Sequence, residues 1–233
     1  FRMHQDWLLR NRNGELLEMG SDCFLDASHP DALKWLAECF RTMKKWGYTY
    51  FKLDFMIVET CYEAQYHDRN ISRVQAYRQG LSAIREAVGD DAFILGGTAL
   101  LTPSVGFVDA CRISTDVTPY WCMPIHTPES PAIFNVCRNI INHGYMNGRL
   151  WINDPDCLIV REYHNREKYK DIPPLTLLET LTLATSMIMS GGSLFLGDRM
   201  EKLPAERLDI IRKVLSLMSS TAACPVDRMD GEI

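Results

Sequence analysis

Tyr48-Thr-Tyr-Phe-Lys-Leu-Asp54-Phe55 reads as a buried β-strand that ends on a lysine and a carboxylate. The run is short and rich in aromatic residues, and Gly47 precedes it, as strand periodicity and turn chemistry require. Side chains alternate faces along a strand, so Lys52 and Asp54 share one side. The pattern returns in Val108-Asp-Ala-Cys-Arg-Ile-Ser-Thr-Asp116. There a strand is predicted over 108–114, with Arg112, Ser114 and Asp116 on one face.

Helices and strands alternate around these two segments. Leu33, Leu36, Ala37, Phe40 and Met43 follow helical spacing after Ser28-His-Pro30, where Ser28 is the expected cap and Pro30 suits the first turn. Val74, Tyr77, Leu81, Ile84 and Val88 step by three and four toward Gly89. Further helices are expected over 132–146, 175–190 (apolar on most faces) and 204–217, and further strands over 92–97, 150–154 and 193–198. Such alternation implies a parallel sheet with both faces covered. Four of the five strands end on or near an acid: Asp54, Asp116, Asp154 and Asp198. Acids collected at C-terminal strand ends are the arrangement of a (β/α)8 TIM barrel active site.

Five strands fall short of the eight that close a barrel. The sequence opens at Phe1 without an initiator Met. The expectation is therefore that this chain carries about the last five βα units, with residues 1–220 forming the C-terminal part of a catalytic barrel. Residues 221–233 would lead toward a following β-domain.

Composition narrows the chemistry. The 233 residues carry a formal net charge of −5, with no basic run, which argues against nucleic acid as a partner. No apolar stretch is long enough to predict a membrane span. Eight dispersed cysteines contain no C-x-x-C pair and are expected to be mostly buried, reduced thiols. Six histidines show no ligand spacing, so neither metal nor organic cofactor is expected. Gly96-Gly97 and Gly191-Gly192 lack a phosphate-loop context.

Two carboxylates at strand ends suit cleavage of a glycosidic bond. Asp54 and Asp116 stand 62 positions apart, about two βα units, so the expectation places them across a short arc of the barrel mouth. Lys52 would keep Asp54 ionised. Trp151-Ile-Asn-Asp-Pro-Asp156 clusters polar groups at another strand end. Asn153, Asp154 or Asp156 would bond sugar hydroxyls or orient the acid, or else serve a local turn. Trp121 and Trp7 are candidates for stacking on a sugar face, or are ordinary half-buried rings.

Three blocks carry a resemblance. Trp46-Gly-Tyr-Thr-Tyr-Phe-Lys-Leu-Asp54-Phe resembles the W-G-x-x-Y-x-K-x-D-F block of glycoside hydrolase family 36, the α-galactosidase (melibiase) family. Arg112-Ile-Ser-Thr-Asp116 resembles its R-I-x-x-D block, with Trp121 where a tryptophan often follows. Trp151-Ile-Asn-Asp-Pro-Asp156-Cys resembles its W-x-N-D-P-D block. The resemblance implies a retaining α-glycosidase acting on terminal α-linked galactose. Asp54 would be the nucleophile and Asp116 the acid/base. Lys52, Arg112, Gly97, Trp121, Asn153 and Asp154 would bind substrate. Gly96-Gly97-Thr98 departs from the family's Cys-Gly pair and opens the alternatives of an α-N-acetylgalactosaminidase or a raffinose-type transglycosylase. A sugar-binding barrel without turnover is a further alternative. The partner implied is an α-galactoside oligosaccharide, and a homo-oligomer of the full-length protein is compatible with this reading.

Overall fold

The computed structural model describes residues 4–20, 22–56, 64–122, 131–164, 170–219 and 221–224. It divides into two compact units, Phe1–Cys111 and Arg112–Ile233.

The first unit opens with a 3₁₀ turn over Gln5–Trp7, followed by a two-residue antiparallel pair, β1 (Glu18–Met19) and β2 (Asp22–Cys23), which the sequence reading did not anticipate. Helix α1 (Pro30–Lys45) follows. Its N-cap is His29, whose Nδ1 accepts the Asp31 N–H at 3.2 Å, and not Ser28. The physical reason is Asp26, which takes both the Ser28 hydroxyl at 2.7 Å and the Ser28 N–H at 2.8 Å. Lys44 and Lys45 sit in the last turn, where positive charge complements the helix dipole.

Strand β3 (Tyr50–Leu53) is shorter than expected. It also alternates, burying Phe51 and Leu53 while Tyr50 and Lys52 stay exposed, so only one of its faces is covered. Helix α2 (Arg73–Val88) is closed at its start by a capping box between Ser72 and Gln75, and at its end by Gly89 at φ 78°. Tyr77, Leu81, Ile84 and Val88 are buried as their spacing predicts, whereas Val74 is exposed. Helices α1 and α2 pack against each other.

Strand β4 (Phe93–Gly96) runs parallel to β3, in register from Tyr50↔Phe93 to Leu53↔Gly96. A short helix α3 (Leu101–Ser104) then leads toward β5 (Ala110–Arg112). Leu95 and Gly96 of β4 pair in parallel with Ala110 and Cys111. Arg85 of α2 secures this turn, since its guanidinium bonds the Phe107 carbonyl at 2.9 Å and Asp109 at 2.5 Å.

In the second unit, α4 (Ile133–His143) gives way to a 3₁₀ turn over Gly144–Met146. Strand β6 (Ile152–Asp154) receives the Ile113 N–H at the Asp154 carbonyl, 3.0 Å. A two-residue strand β7 (Cys157–Leu158), absent from the sequence reading, pairs in parallel with β8 (Phe195–Leu196). Between them lies α5 (Leu177–Ser190), with a Thr176–Glu179 capping box and a left-handed Gly191 after it. Helix α6 (Ala205–Leu217) follows β8.

The core of this unit joins Ile133, Val136 and Ile140 of α4 to Leu158, Leu183, Met187, Ile211 and Val214. Each such side chain contributes on the order of 1.5–3 kcal/mol by leaving water. Helix α5 was expected to be packed on most faces, yet Leu178 and Met189 are exposed, so it buries one stripe only. Gly192 is needed for contact. A Cβ there would stand 2.1 Å from the Asn153 carbonyl oxygen.

Candidate active site

In the first unit, Asp54 is the residue that follows the C-terminal end of β3. The chain turns sharply there, and Phe55 adopts φ 56°, a left-handed conformation that costs about 1–2 kcal/mol for a side-chain-bearing residue. This turn aims the Phe55 N–H back at Asp54 Oδ1, 2.9 Å away. The end of β4 supplies two more donors to the same oxygen, the Thr98 hydroxyl at 2.6 Å and the Thr98 N–H at 3.1 Å. Among the described residues no hydrogen bond falls on Oδ2. The carboxylate is thus held by one oxygen and presents the other.

Gly97 makes this approach sterically feasible. Its N–H donates to the Leu53 carbonyl at 2.6 Å, and a Cβ on it would lie 2.9 Å from both Asp54 Oδ1 and Leu53 O. Any larger residue would have to displace the carboxylate or the backbone. Gly97 is itself buried, so its role here is to leave room.

Beside Asp54 lies a cavity of about 220 Å³ whose walls include Phe24, Leu36, Phe40 and Leu81. Partial burial pushes the Asp54 pKa up. That push is outweighed by the Thr98 hydroxyl, then the Phe55 and Thr98 amides, then the charge of Lys52, and the carboxyl is held below its ordinary value. Lysine was expected to keep Asp54 ionised. It contributes, but it ranks after the hydrogen bonds of Thr98, a residue not singled out from sequence for this role.

In the second unit, Arg112 ends β5 with its side chain largely buried. It meets three carboxylates: Nε to Asp154 at 3.2 Å, Nη2 to Asp156 at 3.1 Å and Nη1 to Asp116 at 3.3 Å. Burial favours the neutral form, but Asp156, Asp154 and Asp116 outweigh it and hold the guanidinium pKa above its usual value.

Asp116 does not lie on the strand, contrary to the shared-face expectation. β5 stops at Arg112, and Asp116 sits four residues farther on with its side chain 78% exposed. What holds its loop comes from Asp154-Pro155-Asp156. Asp156 is left-handed at φ 74°, and its N–H folds back to Asp154 Oδ1 at 2.9 Å, an Asx-type turn. Asp156 Oδ2 then accepts the N–H of Val117, the neighbour of Asp116, at 2.8 Å. Ser114 adds a hydroxyl bond to the Pro155 carbonyl at 3.0 Å. Of the three roles expected of this cluster, Asp154 and Asp156 form the local turn, and Asp156 also bonds the backbone beside Asp116.

Asn153 and Asp154, expected to contact sugar, are both buried. Asn153 accepts the Trp151 indole N–H at 3.1 Å and donates to the His143 carbonyl at 3.1 Å. Asp154 is spent on Arg112 and on its own turn. Trp121 is half-buried against the core of the second unit, edge-on to Phe134. Trp7, in the first unit, stacks on His4 at 3.9 Å. Asp198 at the end of β8 is a buried structural partner of Arg161, 2.6 Å away.

Among the described residues, no group of three or more His, Cys, Asp or Glu is placed to hold a metal ion. Of the seven described cysteines only Cys111 and Cys137 are buried, fewer than expected. Burial foremost, with the charge of Asp156, pushes the Cys157 thiol up to about 12, so it stays protonated and unreactive.

No family model matches the sequence. Solved structures do share its fold. The α-galactosidase of Thermus thermophilus in complex with stachyose superposes over 92% of this chain with a TM-score of 0.74 at 24% identity. The α-galactosidase of Saccharomyces cerevisiae with raffinose covers 83% at TM-score 0.60 and 17% identity. α-Galactosidase I of Mortierella vinacea covers 79% at TM-score 0.56 and 15% identity. The matched regions amount to 46%, 44% and 47% of those chains, so this chain spans less than half their length. The fold is that of part of a (β/α)8 barrel, with parallel strands.

Proposed function

We propose that this chain contributes the reacting carboxylates of a retaining α-glycosidase of the α-galactosidase type. The observation that carries the reading is the state of Asp54: anchored through Oδ1 at the end of a parallel strand, with its pKa held low. A nucleophile needs that state, since it must be ionised and correctly aimed before the substrate arrives. The α-galactosidases of similar fold, solved with stachyose and raffinose, support an oligosaccharide partner. The three sequence blocks favour family 36 among such enzymes.

The chemistry assigns Asp54 Oδ2 to attack the anomeric carbon as the glycosidic bond breaks. Asp116 gives its proton to the departing oxygen, and a β-glycosyl ester forms on Asp54. Water then attacks the same carbon and passes a proton to Asp116. The ester bond breaks, Asp54 leaves as carboxylate, and the released sugar keeps its α configuration. Arg112, held by Asp154 and Asp156, fixes the loop that carries Asp116.

Galactose is the sugar proposed. Gly96-Gly97-Thr98, which stands where the family often has a Cys-Gly pair, favours testing an N-acetylgalactosaminide beside it. Proton NMR of p-nitrophenyl α-galactoside hydrolysis by the full-length protein tests the reaction type. α-Galactose is expected as the first-formed anomer. β-Galactose appearing first would mean an inverting enzyme and would remove the assigned roles.

A further inference from the structure

We infer that Thr98 is a positioning residue: its hydroxyl closes a ring with the Phe55 N–H and Asp54 Oδ1 that aims the carboxylate. Its catalytic consequence rests on the proposed reading of Asp54 as nucleophile.

The direction of each bond is determined by the donors available. The Phe55 N–H can only donate, and it points at both Asp54 Oδ1 and the Thr98 hydroxyl oxygen. With an amide hydrogen on that oxygen, the hydroxyl's own proton is left for Asp54 Oδ1, 2.6 Å away. A bond from a hydroxyl to a carboxylate at this length is charge-assisted and among the stronger neutral-to-ion contacts. The Thr98 N–H adds a second bond to the same oxygen. One residue therefore contributes two of the three bonds on Oδ1.

The ring also offsets local strain. Phe55 is exposed and carries a positive φ, a conformation that persists only where its surroundings hold it. Thr98 bonds both the strained residue and the carboxylate before it. Gly96 and Gly97 bring it there: a Cβ at Gly96 would stand 2.8 Å from the Ala99 Cβ, and one at Gly97 would strike Asp54. The Gly-Gly-Thr sequence is thus one device, two bare positions followed by a hydroxyl. The charged neighbour acting on Asp54 is Lys52, on the same side of β3.

The test compares Thr98→Val, Thr98→Ala and Thr98→Ser with the wild type. The Asp54 carboxyl is titrated by ¹³C NMR and assigned by its loss in Asp54→Asn, and the acid limb of kcat/KM is measured in the full-length protein. Removing the hydroxyl disfavours the ionised form, so the Asp54 titration should move to higher pH in Val and Ala and return in Ser. The acid limb should move with it, because it reports the nucleophile of the free enzyme. A purely structural role would lower activity at all pH values and leave the limb in place. An Asp54 titration unchanged in both Thr98→Val and Thr98→Ala overturns the inference. A titration that moves while the limb stays put overturns instead the reading of Asp54 as nucleophile.

Discussion

Asp54→Asn should lower turnover of an aryl α-galactoside by roughly 10⁴-fold or more while the protein stays folded, since that substitution removes the attacking oxygen. A 10⁴-fold loss corresponds to about 5.4 kcal/mol of transition-state stabilisation. The amide keeps the shape of the carboxylate and can still accept from Thr98 and Phe55 through its oxygen. Far-UV circular dichroism and thermal melts should accordingly match the wild type closely. Steady-state rates beside those melts check the prediction. Activity near the wild-type level in a folded Asp54→Asn protein would leave the site without a nucleophile.

Asp116→Ala should show a different dependence. With a sugar leaving group, protonation of the departing oxygen is needed, and kcat/KM should fall by about 10²–10⁴-fold. With p-nitrophenol, which leaves without help, the first step should be much less affected. The second step still lacks its base, so glycosyl-enzyme should accumulate and a burst of p-nitrophenol should precede a slow steady state. The mutation site is exposed on a loop held by Arg112 and by Asp156 through Val117, so little stability should be lost. Equal losses on raffinose and on the aryl substrate would argue against an acid/base role.

The helices were legible because each carries a strong local pattern. The 3.6-residue spacing of Tyr77, Leu81, Ile84 and Val88 is the buried face of α2, and Gly89 ends it. The placement of Asp54 just past a strand was legible too, because a strand that ends near a carboxylate needs only its own neighbours to be read. The details that escaped depend on groups distant in sequence. Thr98 reaches Asp54 from 44 residues away, and no periodicity records such a contact. His29 replaced Ser28 as the cap because Asp26 competes for the serine. Strand β7 is two residues long and exists by pairing with β8, far below the length at which alternation can be seen.

The polar cluster at Asn153 to Asp156 shows the same limit from the other side. Its residue types were recognised as important, but sequence alone does not say which polar groups face inward. Asn153 and Asp154, both read as candidate sugar ligands, are buried and bonded to Trp151, His143 and Arg112. Asp116 shows that a strand face read by alternation stops counting where the strand stops, at Arg112.

The most direct test of the central claim is the configuration of the product when azide rescues each carboxylate variant of the full-length protein. In Asp54→Gly, azide takes the place of the nucleophile on an α-galactoside and should yield β-galactosyl azide. In Asp116→Ala, azide attacks the β-glycosyl ester on Asp54 and should yield α-galactosyl azide. The account predicts this opposite pair. The reverse pair, or the same anomer from both variants, would contradict the assignment of Asp54 as nucleophile and Asp116 as acid/base.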